Sequence, residues 1–249
     1  MSYSNPMRKN YTLTRLYVET ALDEGDTVEL SKDQAHYLGN VLRKGEGDVV
    51  RLFNGETGEW RAEISAMSKR AATLRVKERL RAPKSCPDIT LCFAPIRRHR
   101  TAFIIEKATE LGVRKLQPVI TAGTQFPKFN MDKAGLQAIE AAEQTERLDI
   151  PKIAEPQKLI DMIEQWDNRT LIFADEAGDA VPALTVLSTI SGPATILIGP
   201  QGGFTPKERE QLRSQSFVKP VSLGPRILRA DTAALSLLTL WQAALGDWS

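Results

Sequence analysis

The stretch that most restricts the fold is Ile196-Leu197-Ile198-Gly199-Pro200-Gln201-Gly202-Gly203-Phe204-Thr205-Pro206-Lys207-Glu208. Its beginning closes a short apolar run over residues 194–198, the signature of a strand buried on both faces. Such strands belong to parallel sheets covered by helices. Thr205 as N-cap, Pro206 at the first helical position and Glu208 three residues after the cap form a capping box, so a helix starts there. Strand, glycine turn and helix in this order put the turn beyond the carboxyl end of a parallel strand, where ligands of such sheets sit. Gly199, Gly202 and Gly203 let the main chain approach a ligand closely. No Gly-Lys-Ser/Thr follows and the spacing is not G-x-G-x-x-G, so neither a P-loop nor a dinucleotide fingerprint is present.

The same rhythm runs through the back of the chain. Strands are expected at 89–94, 116–120, 171–174, 194–198 and 218–222. They alternate with helices at 101–111 (stopped by Gly112), 131–148, 156–165, from 206, and at 232–245. That alternation predicts an α/β domain with a parallel sheet and helices on both faces. The front differs: short β-prone runs at 49–53, 59–64 and 73–76, a turn over residues 54–58, and one helix over 31–42 capped by Ser31. This pattern predicts a small β-barrel. Pro83 and Pro87 mark a linker without periodicity, so the domains are expected to span residues 1–84 and 88–249.

Lys and Arg outnumber Asp and Glu over residues 1–115, and the balance reverses over 116–249. A basic front half fits a polyanionic partner, because cation–phosphate contacts supply sequence-independent affinity. Cys86 and Cys92 match no zinc spacing and no disulfide framework, so no metal is expected. The polar start lacks an apolar signal core and the most apolar helix is too short to span a bilayer, so a cytoplasmic protein is expected.

A second strand–turn–helix stretch is Ser222-Leu223-Gly224-Pro225-Arg226-Ile227-Leu228-Arg229-Ala230-Asp231-Thr232. Its alternation of apolar and cationic residues suits a flat ligand beside an anionic substrate, with Asp231 or Thr232 capping the helix. A third stretch, Ala142-Glu143-Gln144-Thr145-Glu146-Arg147, places Glu143 and Arg147 at i,i+4, the spacing of a surface ion pair.

Together these stretches resemble the bacterial 16S rRNA uracil-N3 methyltransferase family (RsmE) of the SPOUT superfamily. Glu106-Lys107-Ala108-Thr109-Glu110-Leu111-Gly112-Val113 adds to the likeness, as do Arg15-Leu16-Tyr17, His36, Val41-Leu42-Arg43 and Asn54-Gly55 in the front domain. The resemblance covers nearly the whole chain in the right order. It implies a PUA-like RNA-binding β-barrel followed by a trefoil-knotted SPOUT domain, S-adenosylmethionine as methyl donor, and a homodimer. The implied reaction is methylation of N3 of a uridine, uridine 1498 in the family, in 16S rRNA of the 30S subunit. By position, Leu197, Ile198, Gly199, Pro200, Gly202 and Gly203, with Leu223, Gly224, Ile227, Leu228 and Thr232, would hold the cofactor.

Arg229 is the candidate for orienting the uracil, and Asp231 and Glu143 are candidate bases. Arg15, Arg43, Arg97, Arg98, Arg100 and Arg226 are candidate RNA contacts, three of them in the unusually basic run Pro95-Ile96-Arg97-Arg98-His99-Arg100. Two departures stand out: the family commonly has Glu at the position of Gln201 and Glu-Thr at Asp231-Thr232. The first removes a charge and argues against a base there; the second keeps a carboxylate on a shorter side chain. A knotted enzyme acting on ribose 2′-OH or transfer RNA, and a non-catalytic rRNA-binding assembly factor, remain the alternatives. A Rossmann-type methyltransferase is disfavoured because its early glycine motif is missing.

Overall fold

The computed structural model describes residues 10, 12–167 and 169–248. The chain divides into two compact units. The first comprises Met1–Ser85 with Glu146–Asp149, the second Cys86–Thr145 with Ile150–Ser249.

The first unit holds strands β1 (Arg15–Tyr17), β2 (Thr27–Glu29), β3 (Val49–Asn54), β4 (Gly58–Met67) and β5 (Ala72–Arg81) in one sheet of order β1-β3-β4-β5-β2. The expected 54–58 turn is present: Asn54 pairs with Gly58, and the Asn54 Oδ1 accepts from the main-chain N–H of Glu56 (3.0 Å) and Thr57 (2.7 Å). Gly58 needs its freedom, with φ +87°, because a Cβ would run into the Arg81 carbonyl. Helix α1 (Lys32–His36) starts at Ser31, whose Oγ accepts from the Gln34 N–H at 3.2 Å, and continues as a π-turn (Tyr37–Val41). The core of this unit gathers Leu16, Leu38, Val50, Leu52, Ile64 and Leu74.

At one end of the sheet lies a buried ionic cluster. The Glu59 carboxylate accepts from Arg15 Nε at 2.6 Å and Arg81 Nε at 2.8 Å, while Glu146 pairs with Arg51 at 2.8 Å and Arg81 at 3.0 Å. Burial alone would raise the Glu59 carboxyl, but hydrogen bonds from Arg81 and Arg15 outweigh it and hold the group below the usual range. The Arg15 side chain is 2% exposed. Its guanidinium is committed to this cluster, which corrects its expected role as a phosphate contact.

Among the described residues the second unit is built on eight strands: β6 (Ile89–Phe93), β7 (Lys115–Ile120), β8 (Lys152–Ile153), β9 (Gln157–Lys158), β10 (Thr170–Ala174), β11 (Val181–Pro182), β12 (Ala194–Ile198) and β13 (Val218–Ser222). They pair in parallel in the order β11-β13-β10-β12-β6-β7-β8, with β9 against β7. Helices α2 (Arg98–Glu110), α3 (Met131–Gln144), α5 (Ala183–Leu187) and α7 (Ala230–Leu245) cover one face. There Leu91, Phe93, Ile196 and Ile198 meet Ile104, Leu187 and Leu237. On the other face Cys92, Leu171, Phe173 and Leu197 meet α4 (Leu159–Glu164) and α6 (Pro206–Arg213). The expected helices on both faces of a parallel sheet are present. Among the described residues no helix is long and apolar enough to cross a membrane.

Candidate cofactor and RNA site

Three neighbouring strands, β12, β10 and β13, end at the same edge of the sheet, and their following turns enclose a cavity of about 630 Å³. That volume lies in the range of small-molecule and cofactor sites. One wall is the bend after β12. Its Gly203 N–H donates to the Pro200 carbonyl at 3.0 Å, and Gly203 has φ +71°. A Cβ on Gly199 would come within 2.6 Å of the Phe204 ring, and one on Gly203 would meet the Glu176 carboxylate. The bend is anchored by the capping box: the Glu208 N–H donates to Thr205 Oγ1 at 3.2 Å, and the Thr205 N–H to Glu208 Oε2 at 2.9 Å. Glu208 Oε1 also accepts from the Ala122 N–H at 2.8 Å.

The opposite wall is the bend after β13, where Gly224 has φ +106°. Of the residues expected to hold a cofactor, Ile198, Gly199, Pro200, Gly203, Leu223, Gly224, Ile227 and Leu228 line the cavity. Leu197, Gly202 and Thr232 do not. Leu197 points to the other face of the sheet, packed in the cluster around Phe173, as strand alternation requires. Gly202 and Thr232 are exposed. Arg226 and Arg229 are exposed residues of the lining.

Asp231 stands in the first turn of α7, where a carboxylate meets the positive end of the helix dipole. Its Oδ2 is bound by Arg100 from the first turn of α2; its Oδ1 is buried with no partner among the described residues. Arg100 is therefore tied to Asp231, whereas Arg43, Arg97 and Arg98 are exposed. Glu143 lies half-buried near the end of α3 and does not line this cavity. The helix stops at Gln144, so Arg147 falls beyond it; Arg147 Nε donates to the Asp149 carbonyl at 2.7 Å and to Asp149 Oδ1 at 2.9 Å.

Sequence reading missed the third wall. Asp175 and Glu176 follow β10 into the cavity, and the Asp175 carboxylate, fully buried, is held by Arg209 at 3.1 Å and Arg213 at 2.7 Å from α6. Arg213 also grips Asp179, whose carboxyl its hydrogen bonds pull down to about 2. The available signal was an acidic turn, Asp175-Glu176-Ala177-Gly178-Asp179, after a buried strand, with arginines at i and i+4 of a later helix.

A family model described as an RNA methyltransferase domain matches residues 83–242, and one described as an RNA methyltransferase PUA domain matches residues 30–77. The chain is 37% identical to the ribosomal RNA small subunit methyltransferase E of Rickettsia conorii, over 90% of this chain and 93% of that protein. It belongs to the ribosomal RNA small subunit methyltransferase E family.

A Bacillus subtilis member of that family is 26% identical over 91% of this chain and 95% of its own length. The family's Neisseria gonorrhoeae enzyme, solved bound to S-adenosylmethionine, matches with a TM-score of 0.84 at 26% identity, covering 95% of this chain and 100% of the other. A Legionella pneumophila methyltransferase solved with the same cofactor gives 0.83 at 30% identity, over 94% and 99%. The front unit of this family member is thus its PUA domain, and the parallel sheet its methyltransferase domain.

Proposed function

We propose that the chain is an S-adenosylmethionine-dependent methyltransferase that modifies N3 of a uridine, the family's uridine 1498, in 16S rRNA of the small ribosomal subunit. The observation that carries this reading is the meeting of two glycine bends over one cavity in a chain of this family. The cavity suits the donor: the Gly199 and Gly203 Cβ positions are closed by Phe204 and Glu176, so only bare backbone fits there. Ile198, Gly199, Pro200 and Gly203 from one bend, with Leu223, Gly224, Ile227 and Leu228 from the other, would hold it. When bound, S-adenosylmethionine supplies a methyl group on a positively charged sulfur.

The remaining work falls to this chain's side chains. N3–H of uracil is only weakly acidic, so the nitrogen must surrender its proton as it attacks; a positioned base contributes roughly 10²–10⁴-fold. Asp231, next to the lining residue Ala230 but not itself in the lining, is the base we assign; Arg100 holds its Oδ2, and taking the proton requires its buried Oδ1 to be uncovered as the substrate enters. Arg229, at the cavity rim, orients the ring and stabilises charge developing on O2 and O4. Holding the reactants in line is the larger effect, roughly 7–11 kcal/mol. Glu143 lies off the cavity and is left without a role within one chain.

The trefoil threading, the homodimer and the cytoplasmic setting belong to the same reading. Ile227, on a cavity loop, is 79% exposed in the single chain, an apolar residue a second copy would cover. The test is incubation with unmodified 30S subunits and tritiated cofactor, followed by mapping of the labelled nucleotide. Label on uracil N3 of small-subunit rRNA is expected; label on ribose or on transfer RNA would overturn the base assignment. Sedimentation of the purified protein reports the dimer.

A further inference from the structure

The carboxyl ends of β6 and β7 frame a second hollow of about 580 Å³, which shares no lining residue with the donor cavity. Its floor is apolar, made by Ile105, Ala134 and the half-buried Phe129, which packs edge-on against Phe93 at 6.2 Å. In its wall stands Phe126, 40% exposed. The rim carries Arg98, Lys128 and Lys133, all exposed, and among the described residues no carboxylate lines the hollow. An exposed aromatic ring in an apolar recess edged by cations and neutral amides is the chemistry that receives an unstacked nucleobase and its phosphates. An apolar ligand would leave those cations unanswered, and an acidic peptide would answer them without needing the exposed ring.

The placement ties this hollow to the donor site. The Ala94 N–H donates to the Ile198 carbonyl at 3.1 Å, so the chain entering the hollow at Pro95 leaves the sheet beside the strand that opens on the donor cavity. The first turn of α2 stands between them: Arg98 and Thr101 face the hollow, while Arg100 reaches Asp231 at the start of α7. The loop after β7 touches the donor bend directly. A Cβ on Gly123 would come within 3.0 Å of the Gly203 carbonyl and 3.1 Å of Pro200.

We propose that this second hollow binds a nucleotide flanking the target uridine, its base stacked on Phe126 and its phosphates on Arg98, Lys128 and Lys133. The assignment rests on the reading of the first cavity as the donor site. A single-stranded stretch presenting one base to that cavity sets its neighbour here, which fixes register without reading the target itself.

The test uses the full chain and a fluorescein-labelled single-stranded oligouridylate, with anisotropy as readout. Phe126→Ala is expected to weaken binding roughly five- to hundredfold and to raise KM for 30S subunits, while Phe126→Tyr keeps both near wild type. Lys128→Ala with Lys133→Ala should flatten the log–log salt slope by about 1.4. A 4-thiouridine placed beside the target should crosslink to the peptide spanning residues 125–130. Calorimetry with S-adenosylmethionine on each variant confirms an intact fold.

Wild-type affinity and KM in Phe126→Ala, a Tyr variant as impaired as the Ala variant, or crosslinks confined to other peptides would each overturn the assignment. Wild-type protein that crosslinks here but transfers no methyl group would spare the hollow and defeat the donor reading. Normal methylation with an indifferent Phe126 would do the reverse.

Discussion

In the proposed mechanism Gly199 and Arg229 carry separable parts of the chemistry. The Phe204 ring that a Cβ on residue 199 would strike is itself packed edge-on against Phe173 at 5.0 Å, so it has little room to step aside. Gly199→Ala is expected to destabilise the fold by about 1–3 kcal/mol, the usual cost of overpacking, read by denaturant unfolding, and to weaken S-adenosylmethionine binding, read by calorimetry. Arg229→Ala should instead lower kcat by about 10²–10³-fold while cofactor affinity changes little; unchanged turnover would remove the residue from the mechanism. Glu59 belongs to stability. Glu59→Gln leaves Arg15 buried opposite an uncharged group, and breaking such a pair costs about 3–5 kcal/mol, measurable by denaturant unfolding of the full chain. Because the folded carboxyl lies below its unfolded value, its contribution is complete above about pH 4.3. The contribution falls away as pH drops through the folded pKa.

Among the elements, α6 does more than follow its bend. Its Arg209 and Arg213 clamp the buried Asp175 carboxylate, which holds the end of β10 as the third wall of the donor cavity. Asp175→Asn removes that charge without changing shape; we expect a lower unfolding midpoint together with weaker cofactor binding, and an effect on stability alone would separate the clamp from the site. The start of α6 was legible in the sequence because its cap chemistry is local, contained within Thr205, Pro206 and Glu208. The end of α3 was not. A helix to residue 148 was expected, but it stops at Gln144, because Glu146 takes φ +61° and gives its carboxylate to Arg51 and Arg81. Those partners are remote in sequence, and no local propensity announces them. Helix α5 went unexpected for the opposite reason: five residues without a side-chain cap give too little pattern to read.

At the scale of the whole molecule, periodicity identified the buried strands but could not order them. The decisive pairing joins β12 to β6, segments about a hundred residues apart, and sets the donor bend next to the basic turn at Arg97. The cavity-forming glycines were readable; the Asp175 wall, which depends on that strand order, was not. The bond from Ala122 to Glu208 and the close approach of Gly123 to Gly203 make one mechanical piece of the two loops to which we assign different ligands. Filling either loop therefore stiffens the other. Cofactor and RNA should each tighten the other's hold, and by the same factor, since equilibrium linkage is reciprocal. Titrating S-adenosylmethionine with and without saturating oligouridylate measures that factor, and equal affinities in the two titrations would mean the loops act alone.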